Sequence, residues 1–343
     1  AMIGKAKPRF AGLPRRAPRR NVQILALASR PAMAAPRTRR DFRRIGVTGN
    51  PADRRVMAAV AELCAHLLDR GHPVYVAGRA RLPAGVRRVA EDEVCRKVDL
   101  VIVVGGDGSM LYAARRIARY RVPLLGINRG RLGFLADIPQ GEMLPRVDGV
   151  LDGHYVREQR LLLEATLLAG KRVVARGVAL NDVVVKRHAT GRMLEYETFV
   201  AGRYVNTHLG DGFIVATPTG STAYALSCGG PIVEPGLDAL VLTPICPHTL
   251  SDRPLLIPAD RTVDVRLHAA AAPAGRRAAV PATERAEVSV DGETVGRLGP
   301  GFSVRIRAAR ERLELVHPVD HDYFGVLRTK LRWGRDGGDA PPG

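Results

Sequence analysis

Short apolar runs alternate with segments of helical periodicity between residues 43 and 128, and this alternation constrains the fold more than any other feature. Strands that alternate with helices predict a parallel, doubly wound, Rossmann-like sheet. Such a sheet binds its ligands at the carboxyl ends of the strands. The predicted elements are, in chain order, strand 43–50, helix 51–71, strand 72–78, strand 98–106, helix 109–120 and strand 122–128.

The pattern changes after about residue 155, where apolar and polar residues alternate and no helix of useful length is predicted. This indicates a β-rich, largely antiparallel second domain. Residues 269–286 lack a period and contain two prolines, which is typical of a flexible loop. A weak apolar stripe near the end (Phe324, Leu327, Leu331) predicts a helix that packs back on the first domain. The predicted organisation is a disordered basic tail (1–41), an α/β domain (42–150), a β-rich C-terminal domain (151–320) and a returning C-terminal segment (321–343).

The positive charge is concentrated at the start of the chain. Residues 1–40 contain 11 Lys or Arg and no acidic residue, so they supply +11 of the net charge of +19. Such a segment is typical of a nucleic-acid-binding tail, of a transit peptide, or of an upstream extension without a folded role, since Met33 could itself begin a chain. We favour the last interpretation. The remaining +8 suits a small anionic substrate as well as it suits nucleic acid.

The four cysteines and the hydropathy limit the class of protein further. Cys64, Cys95, Cys228 and Cys246 are far apart and form no CxxC pair, which disfavours a disulfide framework or a zinc site and favours a reducing compartment. No apolar run reaches the roughly 18 residues that a membrane span requires. We therefore expect a cytoplasmic protein with no membrane partner; a mitochondrial address is the alternative if the tail is a transit peptide.

The glycine loop GGDGS, residues 105–109, follows the most apolar predicted strand. It is neither a Walker A loop nor a GxGxxG dinucleotide fingerprint, because the lysine and the glycine spacing are missing. Gly105, Gly106 and Gly108 permit positive φ and close approach of a ligand, and the N–H groups of the next helix favour an anion. Ser109 is a candidate cap for that helix.

Asp107 is the unexpected residue of this loop, because a carboxylate repels phosphate. Two functional explanations are open: it meets a magnesium ion, or it accepts the hydrogen bond of a substrate hydroxyl that attacks a phosphoryl group. The structural alternative is a glycine turn whose aspartate bonds its own backbone.

Residues 210–236, GDGFIVATPTGSTAYALSCGGPIVEPG, form a second unusual run. So many glycine, serine and threonine residues between apolar pieces are costly to bury unless their polar groups are bonded. They could read the edges of a base or a carboxamide, and Tyr224 could stack on a ring. A long surface loop is the alternative, but the apolar flanks argue against simple disorder.

These motifs, with their order along the chain, resemble those of the NAD kinase family. GGDG alone is weak, because phosphofructokinases and lipid kinases share it, but TPTGSTAY joined to an Asn-acid pair is specific. The lipid kinases would also show a GTxND-like element, which is missing here. The resemblance covers roughly residues 43–334. The C-terminal part of this range is similar to the C-terminus of the proteobacterial members of the family. The motifs are GGDGSML, INRGRLGFLAD, LNDVVVKR, DGFIVATPTGSTAYALSCGGPIV, PHTLSDRPLLIP and HPVDHDYFGVLRTKLRWG.

The resemblance implies transfer of the γ-phosphoryl group of ATP, with Mg²⁺, to the 2′-hydroxyl of the adenosine ribose of NAD, which gives NADP. It implies that Asp107 faces that hydroxyl as base or orienter, that Asn181 contacts the adenine, and that Asp182, where many members have Glu, contacts a ribose hydroxyl. Ser109 occupies the position at which Thr is commoner among the members of the family. It further implies that Thr219 and Thr222 contact the adenine, that Ala223 and Tyr224 lie beside the dinucleotide, and that Asp211 and Ser227 lie near the nicotinamide. Gly105, Gly106 and Gly108 would admit the nucleotide phosphates. Family members are dimers or tetramers, and the same is expected here.

Several charged residues stay ambiguous at this point. Arg129, Arg131 and Lys186 are candidates to steady the ATP phosphates, but a solvated surface role is preferred for each. The segment HPVDHD, residues 317–322, invites a metal interpretation, yet no open three-ligand pattern is evident and a structural role is preferred. His208 could approach the substrate or merely end a strand.

We therefore expect an NAD kinase with its active site in the crevice between the two domains. A GGDG-type kinase for another hydroxyl is the alternative enzyme. A non-catalytic dinucleotide sensor and a nucleic-acid binder are the alternatives of other classes. Retention of Asp107, Asn181 and Asp182 argues against the sensor, and confinement of the excess charge to the tail argues against nucleic acid as a partner.

Overall fold

The computed structural model describes residues 42–78, 82–130, 133–188, 193–249, 251–267, 286–299 and 301–333. The predictions for the basic tail (1–41), for Arg131 and for all but the last residue of the predicted loop 269–286 lie outside these residues.

Twenty strands and six α-helices are found in the described part of the chain. The helices are α1 (Arg54–Asp69), α2 (Glu91–Lys97), α3 (Asp107–Ile117), α4 (Met143–Leu151), α5 (Tyr224–Ser227) and α6 (Tyr323–Leu331). The strands are β1 (Ile45–Gly49), β2 (Val74–Ala77), β3 (Arg87–Val89), β4 (Leu100–Gly105), β5 (Leu124–Asn128), β6 (Ile138–Pro139), β7 (Tyr155–Arg160), β8 (Leu163–Ala169), β9 (Arg172–Ala179), β10 (Asp182–Arg187), β11 (Leu194–Val200), β12 (Arg203–Gly210), β13 (Gly212–Ala216), β14 (Ala239–Ile245), β15 (Leu255–Pro258), β16 (Val263–Leu267), β17 (Ala286–Val290), β18 (Glu293–Leu298), β19 (Phe302–Ala308) and β20 (Leu313–Pro318).

The first sheet has the order β3-β2-β1-β4-β5-β20-β7, with the short β6 beside β5. All its pairs are parallel except β7 with β20. The predicted strands of the first domain correspond to β1, β2, β4 and β5. The predicted α/β class is therefore confirmed, and the loop GGDGS lies at the carboxyl edge of the sheet.

Helices α1 and α3 pack their apolar stripes on this sheet. Every residue of the apolar stripe of α3 (Met110, Ala113, Ala114, Ile117) is buried. The apolar stripe of α1 (Met57, Val60, Cys64, Leu67) is buried except for Met57. The Asp53 carboxylate caps α1 by accepting the N–H groups of residues 55 and 56. None of the helices in the described part of the chain is long and apolar enough to cross a bilayer.

Two six-stranded antiparallel sheets form the second region, with the orders β15-β14-β13-β10-β17-β18 and β12-β11-β16-β19-β8-β9. Residues of both sheets meet in one apolar cluster, so the period-2 alternation of the sequence reflects one face of each strand turned inward. The predicted β-rich second part of the chain is confirmed.

The strand pairing differs from the predicted boundaries in one respect. Strands β7 and β20 lie within the predicted 151–320 domain, but they pair with each other and β20 pairs with β5, so both belong to the first sheet. The chain leaves the first sheet after β7, builds the second region, and returns at β20. The alternation of β20 is that of any strand, so it could not indicate which sheet the strand joins.

Helix α6 follows β20 and reaches the first region, where the Lys330 ammonium lies 5.8 Å from the centroid of the Phe134 ring. The predicted apolar stripe of α6 is only partly correct. Leu327 is buried, but Phe324 is 59% exposed, and Val326 takes its place in the packing.

Candidate active site

The glycine loop joins β4 to α3, and the first helical residue is Asp107. The cap position belongs to Gly106 and no side chain caps the helix, so the prediction that Ser109 is the cap is wrong. Gly105 must lack a side chain, because a Cβ there would lie 2.3 Å from the Ser109 hydroxyl. None of the loop glycines has a positive φ. Their contribution is the missing side chain, which leaves the backbone N–H groups accessible.

Asp107 is fixed by a second loop. Its carboxylate accepts the backbone N–H groups of Phe134 (2.9 Å) and Leu135 (3.1 Å), and a Cβ on Gly133 would lie 1.9 Å from one carboxylate oxygen. The aspartate therefore bonds backbone, but that of the GFL turn after β5 and not that of its own loop. This explains why RGRLGFLAD accompanies GGDGS: the turn orients the carboxylate at the start of α3.

The Asn-acid pair, Asn181 and Asp182, lies at the start of β10 and is held by Asp291. The Asp291 carboxylate accepts the backbone N–H groups of Leu180, Asn181 and Asp182 at 2.9, 2.8 and 3.2 Å. Asp291 itself sits in the tight turn between β17 and β18 with a φ of 47°. Sequence reasoning missed this residue, although the Asp-Gly pair between two alternating runs was a hairpin signal.

Asp182 and Asp291 are two buried carboxyl groups that influence each other. Burial, and then the charge of Asp291, raise the pKa of Asp182 to about 7. Burial also raises the pKa of Asp291, but three backbone N–H groups and the Arg115 guanidinium, 3.6 Å away, favour its charged form. Asp182 has no comparable donors, so the proton of the pair resides on Asp182.

The run 217–224 is built directly onto this pair. The Thr217 N–H donates to the Asn181 carbonyl (2.8 Å), the Thr217 hydroxyl donates to the Leu180 carbonyl (2.6 Å), and a Cβ on Gly220 would collide with the Asn181 backbone at 2.1 Å. The Ser221 hydroxyl accepts the Val233 N–H at 2.9 Å. The polar groups are thus bonded internally, which explains how so polar a segment is buried.

A cavity of about 270 Å³ brings several predicted residues together. It is lined by Asn181, Asp182, Ala223 and Tyr224, by Asp291 and by Leu111 of α3. Of the eight residues predicted for the site in the second region, four lie outside this lining: the Thr219 and Thr222 hydroxyls bond within the protein, Asp211 pairs with Arg187 at 3.2 Å, and Ser227 is exposed. The predicted residues of the glycine loop also lie outside it.

A larger cavity of about 750 Å³ opens at the carboxyl ends of β1, β2 and β4. Val60, Val76 and Met57 form an apolar part of its wall. Its polar lining includes Asn50, Glu91, Tyr112 and two residues of the glycine loop, Gly108 and Ser109. Of these residues, only the last two were predicted as site residues.

The basic candidates that the structure describes are paired with acids. Arg129 lies 3.1 Å from Asp53, the cap of α1, and its side chain is 19% exposed. Lys186 lies 3.4 Å from Glu287 and is half exposed. His208 ends no strand: it is buried in β12 and bonds Asp252 at 2.8 Å and the Thr198 hydroxyl at 3.1 Å, so it anchors structure.

Two histidines of HPVDHD meet a third residue that the motif does not contain. Asp137, His317 and His321 are the one group in the described part of the chain with side chains close enough to share a metal ion. The two rings are stacked, however, with centroids 4.0 Å apart. Nδ1 of His317 and Nδ1 of His321 lie 2.9 and 2.6 Å from the same oxygen of the Asp137 carboxylate. The three side chains thus bond one another directly, which supports a structural role.

A glycine loop at the carboxyl edge of an α/β sheet, with a cavity on either side of the helix that it begins, is typical of a nucleotide-dependent phosphotransferase. Two family models match the chain: the ATP-NAD kinase N-terminal domain over residues 45–155 and the ATP-NAD kinase C-terminal domain over residues 180–318. The chain belongs to the ATP-NAD kinase family. The activity that accompanies this membership is the ATP-dependent phosphorylation of NAD to NADP.

Relatives and solved structures agree with this assignment. An NAD kinase from Azotobacter vinelandii is 45% identical over 299 residues, covering 85% of this chain and 97% of the relative. One from Ectopseudomonas mendocina is 43% identical over 308 residues, with the same coverage. A yeast NADH kinase solved with NADH has the same fold, with a TM-score of 0.77 at 23% identity over 86% of this chain and 89% of that one. An NAD kinase from Archaeoglobus fulgidus solved with ATP has a TM-score of 0.63 at 26% identity, over 84% and 98%.

Proposed function

We propose that the phosphoryl group of ATP is transferred to the 2′-hydroxyl of the adenosine ribose of NAD at the start of α3. One observation carries this proposal: α3 separates the two cavities. Gly108 and Ser109 line the larger cavity, Leu111 lines the smaller one, and Asp107 begins the helix. A donor in one cavity and an acceptor in the other would meet at this carboxylate.

The larger cavity is the proposed donor site. Its apolar wall suits a base, and the first N–H groups of α3 favour the negative charge of a triphosphate. Gly105, Gly106 and Gly108 would let the phosphates approach the backbone, and the Ser109 hydroxyl would add a donor. Because polyphosphate has no base, an apolar wall of this size supports a nucleoside triphosphate as donor.

The smaller cavity is the proposed site for the adenosine half of NAD. Asn181 offers an amide to the adenine edge. Asp182, whose raised pKa of about 7 keeps a substantial protonated fraction at neutral pH, can donate a hydrogen bond to a ribose oxygen as well as accept one. Tyr224, 42% exposed, can stack on a ring. Ala223 lines this wall, Thr219 and Thr222 belong to the same loop behind it, and Asp211 and Ser227 would lie toward the nicotinamide.

Asp107 would align the attacking hydroxyl and accept its proton. The transition state of phosphoryl transfer is loose, so alignment and neutralisation of charge supply most of the catalysis. The N–H groups of residues 134 and 135 hold both carboxylate oxygens, which fixes the aspartate before substrate arrives and leaves further lone pairs for the hydroxyl.

Mg²⁺ on the triphosphate would neutralise phosphate charge when it is bound. The glycine loop contains one carboxylate, that of Asp107, and the three-residue metal-type cluster of the described residues lies elsewhere, at Asp137. This donor set fits an ion held mainly by phosphate oxygens and water, as Mg²⁺ usually is at nucleotides. We also propose a homo-oligomer and a cytoplasmic location.

The test is to incubate the protein with ATP, Mg²⁺ and NAD and to follow NADP with an NADP-specific dehydrogenase. The Asp107→Asn variant should lose most of kcat while it still binds NAD. Absence of NADP from the wild-type protein would contradict the proposed function and favour a dinucleotide sensor. NADP formation by the Asn variant at the wild-type rate would contradict only the role of Asp107.

A further inference from the structure

A row of charged side chains links the turn that holds Asp107 to the loop that contains Thr219. It begins at Asp137, two residues after Leu135, whose N–H group bonds Asp107. The Asp137 carboxylate is buried, and one of its oxygens lies 2.9 Å from Nδ1 of His317 and 2.6 Å from Nδ1 of His321. The end of β20 is thereby attached to the turn after β5.

The row continues from His317 along β7, at the edge of the first sheet, and ends at the Thr219 loop of the second region. Nε2 of His317 lies 3.4 Å from the Glu158 carboxylate on β7, and Glu158 lies 2.5 Å from the guanidinium of Arg160. Arg160 is 2% exposed and donates a hydrogen bond of 3.3 Å to the Thr219 hydroxyl. Four side chains thus connect two loops that are far apart in the sequence.

Charge balance calls for one cation besides Arg160, and His317 is the histidine that faces both carboxylates. Against the effect of burial, the contacts with Asp137 and Glu158 raise the pKa of His317. Burial likewise opposes ionisation of Glu158, but His317 and Arg160 lower its pKa to about 2. Two carboxylates, Arg160 and one protonated histidine give a buried set with no net charge. His321 contacts Asp137 alone, whereas His317 lies between Asp137 and Glu158, so the positive charge is best placed on His317.

We propose that His317 and Arg160 are positioning residues of the reaction. They fix the turn 133–135, and through it Asp107, relative to the Thr219 loop. This inference rests on the proposed function, in which Asp107 aligns the attacking hydroxyl and the loop that contains Thr219 and Ala223 forms part of the acceptor site. Neither residue touches the reacting atoms; each acts by keeping the two loops in one arrangement.

The kinetic test compares His317→Asn, Arg160→Met and the double variant. Each single variant should lower kcat by about tenfold or more, because small displacements of an aligned group are costly. The KM for ATP should stay within about twofold, since the donor cavity is untouched. The double variant should be little slower than the slower single variant, because the row is already interrupted. Multiplicative losses, or unchanged kcat in either single variant, would overturn the proposal.

The matched control is His66→Asn. His66 lies 2.7 Å from Asp148 on the outer side of the first region, so the change removes a histidine–carboxylate contact of similar length. This variant should keep the wild-type kcat. A loss equal to that of His317→Asn would mean that such contacts act only through overall stability.

The pH profile adds a readout that packing would not change. His317 faces Asp137 from the turn, Glu158 and Arg160 from β7, and His321 from its own segment. Wild-type kcat should fall as the pH rises through the raised pKa of His317, and the Asn variant should lack that decline. The same decline in His317→Asn would overturn the assignment of the cation to His317.

Hydrogen exchange tests the linkage without any turnover. Amide exchange in a peptide that covers residues 133–137 should be faster in His317→Asn than in the wild type, and unchanged in His66→Asn. Unchanged exchange in His317→Asn would overturn the inference even if the wild type formed no NADP. If the wild type forms NADP and the His317 and Arg160 variants keep its kcat, the positioning role is contradicted and the proposed function is not.

Discussion

Replacement of Asp182 by Asn should change how the stability of the protein depends on pH. The pKa of Asp182 is about 7 in the folded protein, against 3.8 for an ordinary aspartate. Between these two values the folded state binds a proton that the unfolded state releases, so the free energy of unfolding falls as the pH rises. Three pKa units at 1.36 kcal/mol each correspond to about 4 kcal/mol lost between about pH 4 and pH 7.

The Asn variant has the same shape, stays neutral and should not show this loss. Its stability should match that of the wild type near pH 4.5 and exceed it near pH 8 by a few kcal/mol, about the loss worked out above. Urea unfolding of both proteins at half-unit steps of pH measures the difference. Asp238→Asn is the control, because that carboxylate is 63% exposed. Parallel curves for Asp182→Asn and the wild type would refute the assignment of the buried proton to Asp182.

Three further outcomes are expected. Gly133→Ala should lower kcat by about 100-fold, because the new Cβ would lie 1.9 Å from the Asp107 carboxylate and displace it. The loss of stability should be smaller. Steady-state kinetics and a melting curve measure the two effects, and a variant with the wild-type kcat would contradict the proposed alignment. Asp291→Ala leaves the three N–H groups that this carboxylate accepts without their partner. The free energy of unfolding, measured with urea, should fall by at least about 3 kcal/mol. A fall of less than about 1 kcal/mol would contradict the anchoring role of Asp291. Burial raises the pKa of the Cys64 thiol to about 12, whereas Cys246 is exposed. A thiol reagent at pH 8 should therefore label Cys246 in minutes and Cys64 only after unfolding. Mass spectrometry of the labelled peptides measures the order, and labelling of Cys64 before Cys246 would contradict the prediction.

Many helices and strands of the first region could be predicted, because the spacing of apolar residues within each segment indicates its secondary structure. The α3 stripe and the strands at β1, β2, β4 and β5 follow from periodicity, which depends only on which face is buried. The prediction that Asn181 and the loop around Gly220 belong to one site came from family resemblance and not from periodicity. The structure gives its physical reason, which is a contact between backbones that only glycine permits.

The missed features depend on contacts between distant parts of the chain. Asp291 bonds residues about 110 positions away, and Asp137 meets His317 from 180 positions away, so no local pattern could indicate either partner. Ser109 was predicted as a cap from residue type alone, but the helix begins two residues earlier, at Asp107. Strand β20 has the alternation of any strand, and periodicity does not specify the sheet that receives it.

The position of β20 has a consequence for synthesis of the protein on the ribosome. Strands β5 and β7 are both made about 150 residues or more before β20, which lies between them in the finished sheet. Until β20 emerges, the nascent first region has an open sheet edge at β5 and lacks the histidines that secure Asp137. The region that carries the glycine loop therefore cannot complete its fold as an early, independent unit. It must wait for the second region to be made, and in that interval the edge of β5 is the part of the chain most in need of protection from aggregation.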